Sequence, residues 1–126
     1  MEIDSSGADI LVRSLIHAGV EVIFGVPGDT GLVLYDALHH ERDRLRHVLA
    51  RDERSAAIMA DAYARCTGRV GVVEASSGGG ATYLVSGLGE AFAASVPILV
   101  ITSDIRQSSA GTHAITELDQ EQLFAA

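Results

Sequence analysis

Apolar residues in this chain follow two periods. Ile10, Leu11, Leu15 and Ala18 recur at helical spacing behind Ser6, a helix-capping residue, and Asp9 three positions on can complete a capping box. Gly19 supplies the stop. Val20 to Phe24, apolar but for Glu21, reads as a buried strand ending at Gly25-Val26-Pro27-Gly28. A second helix is predicted over 30–40 with Leu32, Tyr35 and Leu38 inward, then a charged turn at Glu41-Arg42-Asp43-Arg44 and a short strand over 47–50. Asp52 or its neighbour opens a third helix, with Ala56, Met59, Ala60 and Tyr63 on its packed side and Gly68 at its end. A strand over 70–74 follows. Ser76-Ser77-Gly78-Gly79-Gly80 then turns into a helix carrying Leu84, Leu88, Ala91 and Phe92. Pro97 starts the most apolar strand, which ends at Thr102-Ser103-Asp104. After a looser segment to about Gly111, a last helical pattern is predicted from Thr116 onward.

Strands alternating with helices, and strands that are apolar almost throughout, indicate a parallel sheet covered on both faces. The expected fold is therefore α/β, doubly wound, a mainly parallel sheet with helices on both faces in three layers. Such sheets take ligands at the carboxyl ends of their strands. That expectation places residues 25–29, 51–53, 76–80 and 103–107 on one rim.

Length and composition narrow the chemistry. The chain has 126 residues, 48% of them apolar, which suits one domain with a real core and excludes a disordered polar tail. Nine basic residues against 17 acidic ones give a net charge of −8, which argues against a nucleic-acid partner. The single cysteine, Cys66, excludes an internal disulfide framework and a thiolate zinc cage. No apolar run approaches a membrane span and Met1-Glu2-Ile3-Asp4 is not a signal sequence, so a soluble, cytoplasmic protein is expected.

Two features stand out as candidate chemistry. Ser77-Gly78-Gly79-Gly80 lies between a strand and a helix, where bare amide N–H groups and the helix dipole suit a polar or anionic ligand. The same four residues also suit a tight turn with no ligand. Tyr83 stands where a dinucleotide fingerprint needs its third glycine, and the chain has no lysine to make a P-loop. Glu53 begins a helix after a strand. A carboxylate there is either an ordinary dipole-complementing side chain or a rim group able to share a proton with a heterocycle. His17, His39, His40 and His47 form no metal-ligand pattern, and no nucleophile elbow is present.

Five motifs occur in a known order: Gly25-Val26-Pro27-Gly28, Arg51-Asp52-Glu53, residues 62–68 (Ala-Tyr-Ala-Arg-Cys-Thr-Gly), residues 76–82 from Ser76 to Thr82, and residues 95–102 from Ser95 to Thr102. Together they resemble the N-terminal pyrimidine-binding domain of thiamine-diphosphate-dependent enzymes, in the acetohydroxyacid synthase and 2-oxoacid decarboxylase group. The resemblance covers residues 8–124. It implies that Glu53 is catalytic, hydrogen-bonding N1′ of the cofactor's aminopyrimidine so that the exocyclic nitrogen can take the thiazolium C2 proton. It implies cofactor contacts from Val26, Pro27, Gly28, Ser77, Gly78, Gly79 and Gly80.

The resemblance also carries departures. Asp52 stands where histidine is frequent, Gly79 replaces a proline, Tyr83 an asparagine, and Ile115-Thr116 a Phe-Gln pair. Glu74 puts a charge in a strand that is usually apolar. These bear on acetohydroxyacid synthase activity more than on the cofactor. The Gly-Asp-Gly signature that holds diphosphate and Mg²⁺ in such enzymes is missing, so a separate diphosphate-binding domain or subunit is implied as partner, with Mg²⁺ bound through it. The domain is expected to continue into one more strand and helix, making this chain part of a longer enzyme acting on a small 2-oxo acid. The alternatives are a separately encoded small subunit of a split decarboxylase, or a non-catalytic homologue serving as an interaction module. A homodimer is implied, packed through helices near Glu53 and Gly80 whose small residues Ala56, Ala57, Ala60 and Ala81 allow close approach.

Overall fold

The computed structural model describes residues 5–125, in the order α1 (Gly7–His17), β1 (Val22–Val26), α2 (Leu32–His40), β2 (Arg46–Leu49), α3 (Glu53–Thr67), β3 (Gly71–Ala75), α4 (Gly79–Ala93), β4 (Ile98–Thr102) and α5 (Gln120–Leu123). Short 3₁₀ turns precede α2 at Asp29–Gly31 and follow β4 at Gln107–Ser109. The four strands form one parallel sheet in the order β2-β1-β3-β4, in register at Phe24 beside Val73 and at Val73 beside Val100. This is the doubly wound α/β fold expected.

Helices cover the two faces with separate cores. On one face α1 and α2 bury Val12, Leu15, Leu34, Ala37 and Leu38 against Ile23 and Val72. On the other, α3 and α4 bury Ala56, Ala57, Ala60 and Leu84 against Val22, Phe24, Val73 and Ala75. Two contacts fix how closely the second layer sits. A Cβ at Gly87 would lie 2.6 Å from the Arg54 carbonyl oxygen, and one at Gly71 only 2.2 Å from that of Ala60. Glycine is what lets α4 touch α3, and β3 touch α3, backbone to backbone.

Helix ends follow the sequence signals closely. Ser6 and Asp9 form the reciprocal capping box at α1. Gly68, at φ +68°, closes α3 in the left-handed conformation. At the end of α1, Gly19 is left-handed and the Val20 amide donates back to Leu15. Val20 is thus the apolar residue of a helix-ending motif and not part of the strand. This is why β1 begins at Val22, two residues later than the apolar run suggests.

Several inward assignments change. α1 buries Val12 and Leu15 against α2 and the sheet, with Ala8 and Ile16 beside them, and leaves Leu11, at the margin of that stripe, and Ile10, on the far face, exposed. Leu32 and Phe92 are exposed, at 66% and 77%, where Leu34 and Ala91 take the buried positions. β4, the most apolar strand, is a sheet edge with Leu99 40% exposed. The helix expected from Thr116 is only the single turn of α5, since His113 and Thr116 both have positive φ. Ala56, Ala57, Ala60 and Ala81 are fully buried within the chain's own layers, where they let α3, α4 and the sheet pack closely. The large exposed apolar side chains of α3 and α4 are Ile58, Tyr83, Val85 and Phe92. Among the described residues, no helix is long and apolar enough to cross a membrane.

Candidate functional site

In the strand order β2-β1-β3-β4, the chain reverses direction across the sheet between β1 and β3, so the loops leaving these two strands border the crevice where such sheets take ligands. The two loops pack closely against each other. A Cβ at Gly28 would lie 2.4 Å from Ser76 Cβ, and the Ser77 amide donates to Thr30 Oγ1 at 3.1 Å. Ser103, leaving β4, comes within 3.0 Å of the position a Gly31 Cβ would take. The rim segments predicted from sequence therefore do converge.

Glu53 enters this rim from the opposite side. Asp52 caps α3 by accepting from the Ser55 amide at 2.9 Å, which fixes Glu53 as the first residue of the helix. Glu53 is partly buried, and its carboxylate has no hydrogen bond or ion pair among the described residues. Its Oε1 lies 3.2 Å from the Cβ position of Gly80, in the first turn of α4. No side chain caps α4, whose N-cap Gly78 has φ +63°, so the amides of its first turn remain available. A carboxylate beside two helix N-termini sits in a favourable field. The pair offers an acceptor next to unused donors, and the absence of a side chain at Gly80 is what lets them approach.

The Ser55 amide, more than any other group, holds the Asp52 carboxyl below its ordinary value of 3.8. Because the folded value is the lower one, this cap stabilises the protein fully above that ordinary value. The contribution is lost as pH falls through the folded value. Unfolding midpoints in urea should show it: Asp52→Asn keeps a capping acceptor, so its deficit relative to the unmodified protein should be constant above about pH 5 and shrink on acidification. A deficit independent of pH down to acid unfolding would contradict the assignment.

The turn itself is held from above. Ser77 is buried and its hydroxyl pairs with Thr116 Oγ1 at 2.7 Å, while a Cβ at Gly78 would collide with Thr116. Thr116, a β-branched residue at φ +67°, is strained. Glu117 braces the same loop by accepting from the amides of Gly111 and Ala114. Gly79, in contrast, is open and exposed.

Of the residues expected to meet a cofactor, Gly28, Glu53, Ser77, Gly78 and Gly80 gather at this crevice. Val26 packs partly into the α3–α4 core, and Pro27 is exposed on the wall of a groove with Tyr35 and His47. Sequence reasoning gave no role to one neighbour, Glu74. It is wholly buried beside this rim, accepting from the Tyr35 hydroxyl at 2.6 Å and from His47 Nε2 at 2.8 Å. The signal was present: a glutamate inside an apolar strand must find buried donors. Among the described residues, no three His, Cys, Asp or Glu side chains gather as a metal site.

Residues 5–123 match the family described as thiamine pyrophosphate enzyme, N-terminal TPP binding domain. The acetolactate synthase of Arthrospira platensis is 47% identical over 116 residues, which cover 90% of this chain and 20% of that protein. The acetolactate synthase large subunit of Lactococcus lactis subsp. lactis (strain IL1403) is 43% identical over 119 residues, 94% of this chain and 20% of that protein. That of Pyropia yezoensis is 46% identical over 118 residues, 92% and 20%. The chain spans about a fifth of the length of these curated relatives.

Proposed function

The chain belongs to the thiamine pyrophosphate enzyme family as an N-terminal TPP binding domain, and on that premise we propose that it is the pyrimidine-binding part of an enzyme acting on a 2-oxo acid, by acetolactate-synthase-like carboligation or by decarboxylation. The observation that carries this reading is the Glu53 carboxylate, unpartnered among the described residues and facing the bare first turn of α4 across Gly80. Bound thiamine diphosphate would supply the electron sink needed to break a bond next to a 2-oxo carbon.

In this reading Glu53 holds and shares a proton at N1′ of the aminopyrimidine, a role that needs a carboxylate within hydrogen-bond reach and partly withdrawn from water. Gly28, Ser77, Gly78, Gly79 and Gly80 form the walls, with Val26 and Pro27 completing the loop from β1. Gly80 lets the first turn of α4 come up against Glu53 and Ser76, since a Cβ there would stand 3.2 Å and 2.7 Å from their side-chain oxygens. The diphosphate and Mg²⁺ are assigned to a further domain or subunit of the same enzyme, in keeping with relatives about five times as long. The exposed Ile58, Tyr83 and Phe92 on α3 and α4 suit burial against that partner or in a homodimer. A cytoplasmic setting is part of the same proposal.

Calorimetric titration of the full-length protein with thiamine diphosphate and Mg²⁺ tests this. Saturable binding is expected, and a thiazolium diphosphate lacking the aminopyrimidine should bind at least about tenfold more weakly, the worth of one hydrogen bond to a charged group. Equal affinity for the two compounds, or no binding at all, would overturn the reading.

A further inference from the structure

Glu74 is the largest polar side chain that the core wholly encloses, and nothing in the proposed chemistry uses it. It lies in the middle of the sheet, paired across β1 with Gly25. It fits only because Gly25 has no side chain: a Cβ there would stand 1.9 Å from Glu74 Oε1. Glu74 Oε1 accepts from His47 on β2 and Oε2 accepts from Tyr35 on α2, so one carboxylate joins three elements.

The chain of bonds then continues to the rim. The Tyr35 hydroxyl, while donating to Glu74, accepts from the backbone amide of Gly28 at 3.3 Å. Burial foremost, and then the bond to Glu74, push the Tyr35 hydroxyl well above its ordinary value, so it stays protonated and able to donate. Its ring also packs against the place a Gly31 side chain would take and meets the His47 ring edge-on at 5.9 Å between centroids. An aliphatic residue in place of Glu74 would leave two donors facing an apolar wall. A carboxylate instead fixes both, since a buried acceptor holding two donors has little freedom to reorient.

We propose that Glu74 is a positioning residue: through the Tyr35 hydroxyl it fixes the Gly28 amide, and with it the loop that borders the crevice, while His47 holds the other carboxylate oxygen. The importance of that loop for cofactor affinity rests on the reading given above, but its immobilisation does not.

Amide hydrogen exchange over residues 26–31, measured on the full-length protein without cofactor, tests the positioning. Glu74→Gln keeps an acceptor for Tyr35 and can present its amide to His47, so protection should stay within about threefold of the unmodified protein. Glu74→Leu, of similar volume, and Tyr35→Phe should each speed exchange there about tenfold, near the worth of one hydrogen bond. The double variant should exchange no faster than Glu74→Leu alone. Thiamine diphosphate affinity should follow the same order. Unchanged exchange in Tyr35→Phe would overturn the proposal even if Glu74→Leu fails to fold. So would Glu74→Gln exchanging as fast as Glu74→Leu. Should the exchange pattern appear while the unmodified protein binds no thiamine diphosphate, the positioning stands and the cofactor reading falls.

Discussion

Replacing Glu53 with glutamine should lower turnover of a 2-oxo acid by the assembled enzyme roughly 10²–10⁴-fold, the range that a positioned acid–base group contributes. Glutamine has nearly the same shape and can still contact the pyrimidine, but it cannot share a proton with N1′. The fold loses only the modest attraction of a carboxylate to two helix starts. Glu53 makes no hydrogen bond or ion pair among the described residues, and α3 is capped by Asp52. The thermal midpoint of Glu53→Gln should therefore match the unmodified protein within the effect of an ordinary surface change. Glu53→Asp withdraws the carboxylate by one methylene and should fall between the two. Steady-state kinetics at saturating thiamine diphosphate separates this from weakened binding. A loss smaller than about tenfold would remove Glu53 from proton handling.

The second large effect is structural and falls at Gly71. Alanine there would drive its Cβ to 2.2 Å from the backbone carbonyl of Ala60, a contact no rotamer can relieve. Either α3 lifts from the sheet or β3 bends, and α3 is the helix that starts at Glu53. Overpacking of this kind costs about 3 kcal/mol, at the upper end of its usual range. Gly79→Ala provides the comparison, because nothing lies within 4 Å of its added methyl. Its stability should change by less than about 1 kcal/mol, the helix-propensity difference itself. Equal unfolding midpoints in urea for Gly71→Ala and Gly79→Ala would show that α3 does not sit on β3 as described.

Most of the fold was legible because its signals are local. Ser6 with Asp9, Gly19, Asp52 and Gly68 start and stop helices by chemistry that needs no distant partner. The apolar runs gave the strands, apart from Val20, whose hydrophobicity serves a helix end. Choices between equally apolar faces were not legible. Leu11 and Val12 differ little as residues, and packing against α2 and the sheet decides that Val12 is inside. The loop at 111–117 was missed for a related reason: Thr116 adopts a strained conformation because Ser77, some forty residues away in sequence, holds it.

The candidate site divides in the same way. The glycine turn and Glu53 could be singled out by their place between strand and helix, yet their mutual approach across Gly80 is a tertiary fact. Glu74 stood out in sequence as a charge in an apolar strand. Its partners, Tyr35 and His47, come from a helix and an edge strand that only the sheet order brings to it.

Proton handling by Glu53 can be followed at a single cofactor atom. The rate of hydrogen–deuterium exchange at C2 of bound thiamine diphosphate, read by NMR after rapid acid quench, reports proton handling apart from substrate binding and product release. The full-length protein should exchange that proton much faster than free cofactor does, and Glu53→Gln should lower the rate by about 10²-fold or more while still binding the cofactor. Exchange in Glu53→Gln as fast as in the unmodified protein would contradict the account.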